Sequence, residues 1–309
     1  MAESTTTLAR GAVKVRSARR GRLERRRARV ALTFVAPIVV LFAVFKAYPF
    51  GYAFYLSLTK NKGGVTTFVG ADNYSRLIHD PLFRKALSNT FQILLIQMPV
   101  QLVLALVIAT ALNSGLLWLR GVFRTAYFVP IVMGLVAYGV LFSSLLNPQY
   151  GAVNDLLGHI GIGPVPWLDD PFWAKVAIAI AMTWHYTGQT AVIYLAQMQS
   201  IPKELYEAAS VDGAGAFRKF RAVTVPGLRP AIVLSVILST IGALQLFDEP
   251  FVLTNGGPEN ATETIGLYLY RNGFQFFDFG YASAIGYGLT AIIVLISLIQ
   301  LVVLERRER

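Results

Sequence analysis

Apolar residues run almost unbroken through six stretches of this chain, roughly Val30–Tyr48, Phe91–Leu112, Val122–Leu146, Phe172–Gln197, Ala231–Leu253 and Tyr281–Leu304. Each has about the length, near 20 residues, that an α-helix needs to cross a bilayer. Barrel strands would instead alternate apolar and polar positions over about 10 residues, so the pattern predicts helices. Pro37, Pro99 and Pro130 fall inside three of the stretches, which membrane helices tolerate when neighbours satisfy the freed carbonyls. The expected fold class is an all-α integral membrane protein with six transmembrane helices. Its membrane domain would occupy residues 30–304, between a tail at 1–29 and a short C-terminus at 305–309.

Composition agrees, since 55% of the 309 residues are hydrophobic and only 15% are charged, unlike an ordinary soluble domain. No cysteine is present, and His79, His159 and His185 are scattered. Disulfides, thiolate metal sites and a cysteine nucleophile are therefore excluded, and no metal-ligand spacing remains.

Charge placement sets the expected orientation, because loops rich in Lys and Arg are retained in the cytoplasm. Arg10, Lys14, Arg16, Arg19, Arg20, Arg22, Arg25, Arg26, Arg27 and Arg29 precede the first stretch. Six crossings would return Arg306, Arg307 and Arg309 to the same side, with Arg120, Arg124, Lys203, Arg218, Lys219, Arg221 and Arg229 in the loops between. Both termini are thus expected in the cytoplasm. An Arg-rich tail also suits nucleic-acid binding or a transit peptide, but a topology anchor touching anionic lipid explains it more simply. No nucleic-acid partner is expected, and the first stretch reads as a span rather than a cleaved signal.

Between the fourth and fifth stretches lies ELYEAASVDGAGAFRKFRAVTVP, residues 204–226, which is neither apolar nor an obvious loop. Ser200 is a candidate cap, Pro202 suits a first turn, and Lys203 through Val211 are good helix formers. Gly213 is placed to end that helix in the left-handed conformation. A second short helix is expected from Ala216 to Val223, with Pro226 stopping it. Small residues at 208, 209, 214 and 216 leave the backbone bare for close approach, and Leu205, Phe217 and Phe220 supply apolar anchors. The segment 200–228 is therefore either a plain connector or a helical hairpin shaped to lie in another protein's groove.

The spacing of Glu207-Ala208-Ala209, three residues, Gly213, and then Val223, Val225 and Pro226 resembles the "EAA" signature of binding-protein-dependent ABC transporter permeases. The stretches VGADNYSRLIHDPLFRKALSNT, RGVFRTAYFVP and LTNGGPENATETIGLYLYRNGFQFFDFGYASA are similar to the carbohydrate-uptake branch, on the side of the maltose-type and glycerol-phosphate-type first permease subunit. The large outward domain of the maltose-type subunit is absent here, so its contacts to a binding protein do not carry over.

The resemblance implies a multi-pass subunit of a bacterial or archaeal cytoplasmic membrane and an ATP-driven importer. It implies a second homologous permease, two ATPase subunits and an extracytoplasmic solute-binding protein as partners, with a carbohydrate as substrate. It places ATPase coupling on Glu207, Ala208, Ala209, Asp212, Gly213, Phe217 and Pro226. Glu207 would transmit the motion by accepting from the ATPase, and Gly213 would set the hairpin angle. The chain itself lacks a G-x-x-x-x-G-K-[ST] loop, so no cofactor is expected in it, and ATP with Mg would bind the partner. It is not expected to be an enzyme.

Polar groups in membrane spans usually face a cavity. Within TWHYTGQTA, His185 and Gln189 lie one helical turn apart, and register counted back from the signature puts maltose-type substrate positions at Met182, His185, Tyr186 and Gln189. Counting forward reaches Gly242, Ala243 and Leu246, so polar contact from the fifth stretch would shift to Gln245 or Asp248. These are the candidate substrate-path residues; interhelical hydrogen bonding is the alternative for each. Rival classes are a secondary transporter, which the lack of an internal inverted repeat disfavours, and a membrane scaffold. The sugar is not specified, and a glycerol-phosphate-type substrate remains the alternative to a neutral one.

Overall fold

A computed structural model describes residues 30–62, 65–113 and 120–305. The basic tail and Arg306, Arg307 and Arg309 lie outside the described residues. The chain divides into two units at Leu56–Ser57. What is described of the first is most of helix α1, Val30–Ser57, in which every residue from Val30 to Tyr52 is exposed; a helix apolar all round belongs in lipid.

The second unit begins with a hairpin, β1 at Thr59–Lys62 pairing antiparallel with β2 at Val65–Phe68. Helix α2 (Asp72–His79) leads into the 33-residue α3 (Pro81–Asn113), and α4 (Arg120–Val132) and α5 (Leu135–Leu145) follow. After α6 (Ala152–His159) comes the 30-residue α7 (Pro171–Ser200), started by Asp170, whose carboxylate accepts from the Phe172 and Trp173 amides. Then come α8 (Lys203–Val211), α9 (Ala216–Gly227), α10 (Arg229–Leu244), α11 (Ile265–Tyr270) and α12 (Phe279–Glu305).

The centre is the pairing of α3 with α7. Ala105, Ala109, Ala191, Ala177 and Ala181 are buried at this contact, and small side chains let membrane helices approach closely in the absence of a hydrophobic driving force between them. Helix α4 crosses α7 at Gly188, where a Cβ would sit 1.7 Å from the Tyr127 carbonyl oxygen. Only glycine fits there.

Three described helices are long and apolar enough to cross a membrane, or five if each bent pair is one span. Several expected elements change. The stretch 122–146 is not one rod: α4 and α5 meet at 105°, with Pro130 near the end of α4 and Gly134 in extended conformation at the break. The stretch 231–253 is interrupted: α10 ends at Leu244, residues 245–247 are non-helical, and helical backbone resumes at Asp248 and continues as a π-helical turn over Pro250–Thr254. Helix α7 is long enough, but Thr183, His185, Thr187, Gln189 and Thr190 dilute its apolarity. The hairpin also differs in detail. Ser200 ends α7 and donates to the Gln197 carbonyl instead of capping α8, and Pro202 takes the cap position. Pro226 does not stop α9, which runs to Gly227 because proline within the first turn of its last segment forfeits no needed donor.

Candidate functional site

A cavity of about 310 Å³ opens between α3, α7, α10 and the irregular segment after Leu244. Helix α7 contributes Met182, Tyr186, Gln189, Thr190 and Ile193, a stripe spaced by four, three, one and three residues that a 3.6-residue period brings onto one face. Helix α10 contributes Ser235, Leu238, Ser239, Gly242 and Ala243, and α3 contributes Gln97 and Gln101.

The remaining wall is Gln245, Leu246 and Phe247, where the helix is interrupted, with Asp248 and Glu249, where helical backbone resumes. Non-helical backbone at membrane depth is tolerated where it is buried in protein or lines a cavity. One carbonyl freed at this break, that of Leu246, accepts from Thr264 Oγ1 at 2.6 Å. Thr264 also caps α11 by accepting from the Leu267 amide. A residue 18 positions away thus holds the break open.

The polar groups of the cavity divide into two kinds. Gln97 and Gln101 hydrogen-bond each other, and Gln101 Nε2 donates to Thr190 Oγ1 at 2.8 Å; both glutamines are buried and stiffen the α3–α7 wall. Gln189 and Gln245 are exposed to the cavity and Asp248 is half-buried, and none of the three side chains is hydrogen-bonded within the described residues. These three are free to meet a ligand.

Five of the six sequence candidates for the substrate path, Met182, Tyr186, Gln189, Gln245 and Asp248, therefore come together on one cavity. His185 does not. It is 4% exposed and lies behind the wall, stacked on Tyr138 at 4.4 Å between ring centroids and edge-on to Tyr186 at 4.6 Å. Tyr138 in turn donates its hydroxyl to the buried carboxylate of Glu249. Glu249 is a cavity residue that sequence reasoning missed; its signal was present in the Asp248-Glu249 pair inside an apolar stretch.

At the opposite end of the bundle, Glu207, Ala208 and Ala209 lie on α8, Asp212 ends it, and Gly213 has φ +72°. Glu207, Ala208, Asp212, Gly213, Phe217 and Pro226 are exposed and Ala209 is half-buried. The hairpin is braced from within by Tyr206 and Thr224, whose hydroxyls are 3.0 Å apart, and by Gln197 Nε2 donating to the Gly227 carbonyl at 3.1 Å. Leu205, Val211 and Phe217 leave 51, 88 and 76% of their surface open. Exposed apolar anchors on a braced scaffold are what a docking surface needs. Val211 had not been anticipated.

At the cavity end, the loops before α3 and α12 meet. Asp80 accepts from the Tyr268 and Tyr281 hydroxyls at 2.5 Å each, and Arg76 pairs with Asp278 at 2.8 Å. Burial raises the Asp80 pKa, but these hydrogen bonds and those of the Leu82 and Phe83 amides outweigh it, so the carboxyl is held below its usual value. Lys85 Nζ and Asn89 Nδ2 hold the carbonyls of Glu259 and Asn260. Burial pushes the Glu263 carboxyl up to about 6 against the pull of Arg271, its ion-pair partner at 2.5 Å.

Residues 101–309 match the family described as the binding-protein-dependent transport system inner membrane component. The chain belongs to this family. The lactose transport system permease protein LacF of Rhizobium radiobacter is 42% identical over 280 residues, covering 89% of this chain and 94% of that relative. The sulfoquinovosyl glycerol transport system permease protein SmoG of Agrobacterium fabrum is 34% identical over 90% of this chain and 91% of its own length. Among solved structures, a bacterial ABC transporter involved in the import of the acidic polysaccharide alginate superposes with a TM-score of 0.77 at 24% identity, over 91% of this chain and 96% of that one. A likeness at that identity carries the fold. A second alginate transporter structure, in complex with an alginate pentasaccharide-bound periplasmic protein, gives 0.73 at 25% identity over 89% of this chain and 93% of that one.

Proposed function

We propose that this permease is a membrane subunit of an ATP-driven, binding-protein-dependent carbohydrate importer, that the cavity beside Gln189, Gln245 and Asp248 is part of the sugar path, and that the α8–α9 hairpin takes up the ATPase motion. The observation that carries the reading is the 42% identity to a lactose permease over 89% of the chain. Unpaired amides and a carboxylate beside Tyr186 fit it, since a sugar offers hydroxyls to the polar groups and apolar faces to the ring. So do the exposed apolar anchors of the hairpin.

In this reading the chain crosses the membrane six times with both termini in the cytoplasm, α7 being a span despite its polar face. The bent α4–α5 pair would be a broken span, and α9–α10 would join hairpin to span. A second permease would complete the pathway, two ATPase subunits would receive the two hairpins, and a solute-binding protein would deliver sugar from outside. ATP and Mg would bind the ATPase.

Purified complex in vesicles, with ATP inside and binding protein outside, tests this by uptake of labelled lactose and of the ligand carried by the binding protein. Uptake should require ATP. Uptake driven by an ion gradient through the lone chain would overturn the proposal in favour of a secondary transporter.

A further inference from the structure

Resting on the reading of the cavity as the sugar path, we infer that it is a charge filter: Asp248 and Glu249 admit neutral or amino sugars and reject saccharides that carry carboxylate or phosphate. Of the residues that line it, two bear carboxylates and none is Lys, Arg or His. The imidazole of His185, the ring nearest in sequence, is turned away onto Tyr138. Among the described residues, nothing in this chain's part of the wall can neutralise an anionic ligand.

The two carboxylates are held differently. Glu249 is 3% exposed and fixed by the Tyr138 hydroxyl, so it is a stationary acceptor in the wall, and the charge facing the open cavity is that of Asp248. Asp248 is half-buried and without a hydrogen bond in the described residues, so its oxygens accept from whatever enters. Walls of low dielectric strengthen such a field relative to water. A carboxylated or phosphorylated sugar would set like charge beside Asp248, and like-charge juxtaposition is a strong means of rejecting a wrong ligand. A neutral sugar instead donates its hydroxyls to Asp248 while the amides of Gln189 and Gln245 both donate and accept. The volume, about 310 Å³, sits at the lower end of the roughly 300–1,000 Å³ range of small-molecule sites.

The chain has no cysteine, so a single introduced thiol reads the field directly. In the assembled importer in membrane vesicles, Gln245→Cys should react with a trimethylammonioethyl thiosulfonate at least about tenfold faster than with its sulfonatoethyl counterpart, after normalising to a free thiol; tenfold corresponds to about 1.4 kcal/mol. Adding Asp248→Asn and Glu249→Gln should bring the ratio towards one. Ser239→Cys, on α10, repeats the measurement should the first variant fail to assemble. Equal or reversed rates at both positions would overturn the filter. In a second arm, lactose should slow thiol modification and digalacturonate should not until the two carboxylates are neutralised; protection by digalacturonate equal to that by lactose also overturns it. A cation preference with no protection by either sugar upholds the filter and counts against the cavity as the sugar path.

Discussion

The hydroxyl of Tyr138 on α5 donates to the buried carboxylate of Glu249, 111 residues further along the chain. This bond ties the bent α4–α5 pair to the helical turn that resumes after the break beyond α10, and so fixes one wall of the cavity. Leaving one partner of a buried hydrogen bond unsatisfied costs about 1–3 kcal/mol. Tyr138→Phe should therefore lower the thermal stability of the purified complex by about that amount. An unchanged melting temperature would show that the wall is held by packing alone.

Cavity residues and His185 should respond differently to truncation. Gln189→Ala and Gln245→Ala each remove one hydrogen bond to a neutral sugar, worth about 0.5–1.5 kcal/mol, so apparent affinity should fall by roughly 2- to 13-fold with ATP hydrolysis preserved. His185→Ala removes the ring stacked on Tyr138 and should lower assembly and ATP hydrolysis together, at unchanged affinity. Measured uptake curves separate the two; a pure affinity loss in His185→Ala would place that ring on the sugar path after all.

Gly213, at φ +72°, sets the turn between α8 and α9 in a conformation that proline, locked near φ −65°, cannot adopt. Gly213→Pro should leave the chain in the membrane but abolish ATP-dependent uptake, and Glu207→Ala should weaken it. Wild-type uptake by Gly213→Pro would mean that the hairpin geometry is irrelevant.

Adding a single methyl at Gly188 meets backbone, not a flexible side chain, since its Cβ would lie 1.7 Å from the Tyr127 carbonyl oxygen. Helix α4 must then move off α7. Gly188→Ala is expected to cost more than the 1–3 kcal/mol usual for overpacking, seen as loss of monodisperse protein on size-exclusion chromatography. A normal elution profile would contradict the close crossing.

Orientation can be read by cysteine labelling in intact cells. Thiols at Lys203, exposed at the start of α8, and at Glu259, exposed in the loop before α11, should be reached only from the cytoplasm and only from outside, respectively. Labelling of both from one side would refute six crossings. Thr262 in the same loop is fully buried and would give no signal.

Much of this was legible in the chain itself. Continuous apolarity located the helices, because lipid leaves no other partner for the backbone than itself. Gly213 marked the hairpin turn, because a position needing positive φ favours glycine. On α7 the helical period put His185 and Gln189 one turn apart, with Met182 and Tyr186 on an adjoining face. Local rules acting on adjacent residues were enough for each of these.

The tertiary structure decided what depended on distant partners. His185 has the same polarity as its neighbours on α7, and it left the cavity because Tyr138 of α5 stacks against it. An apolar stretch to Leu253 read as unbroken helix, yet α10 ends at Leu244, where Thr264 takes up the Leu246 carbonyl. That break brought Glu249 to the wall. Apolarity states that a segment is buried in lipid or protein; it does not state where a hydrogen bond from elsewhere in the chain will release the backbone from its helix.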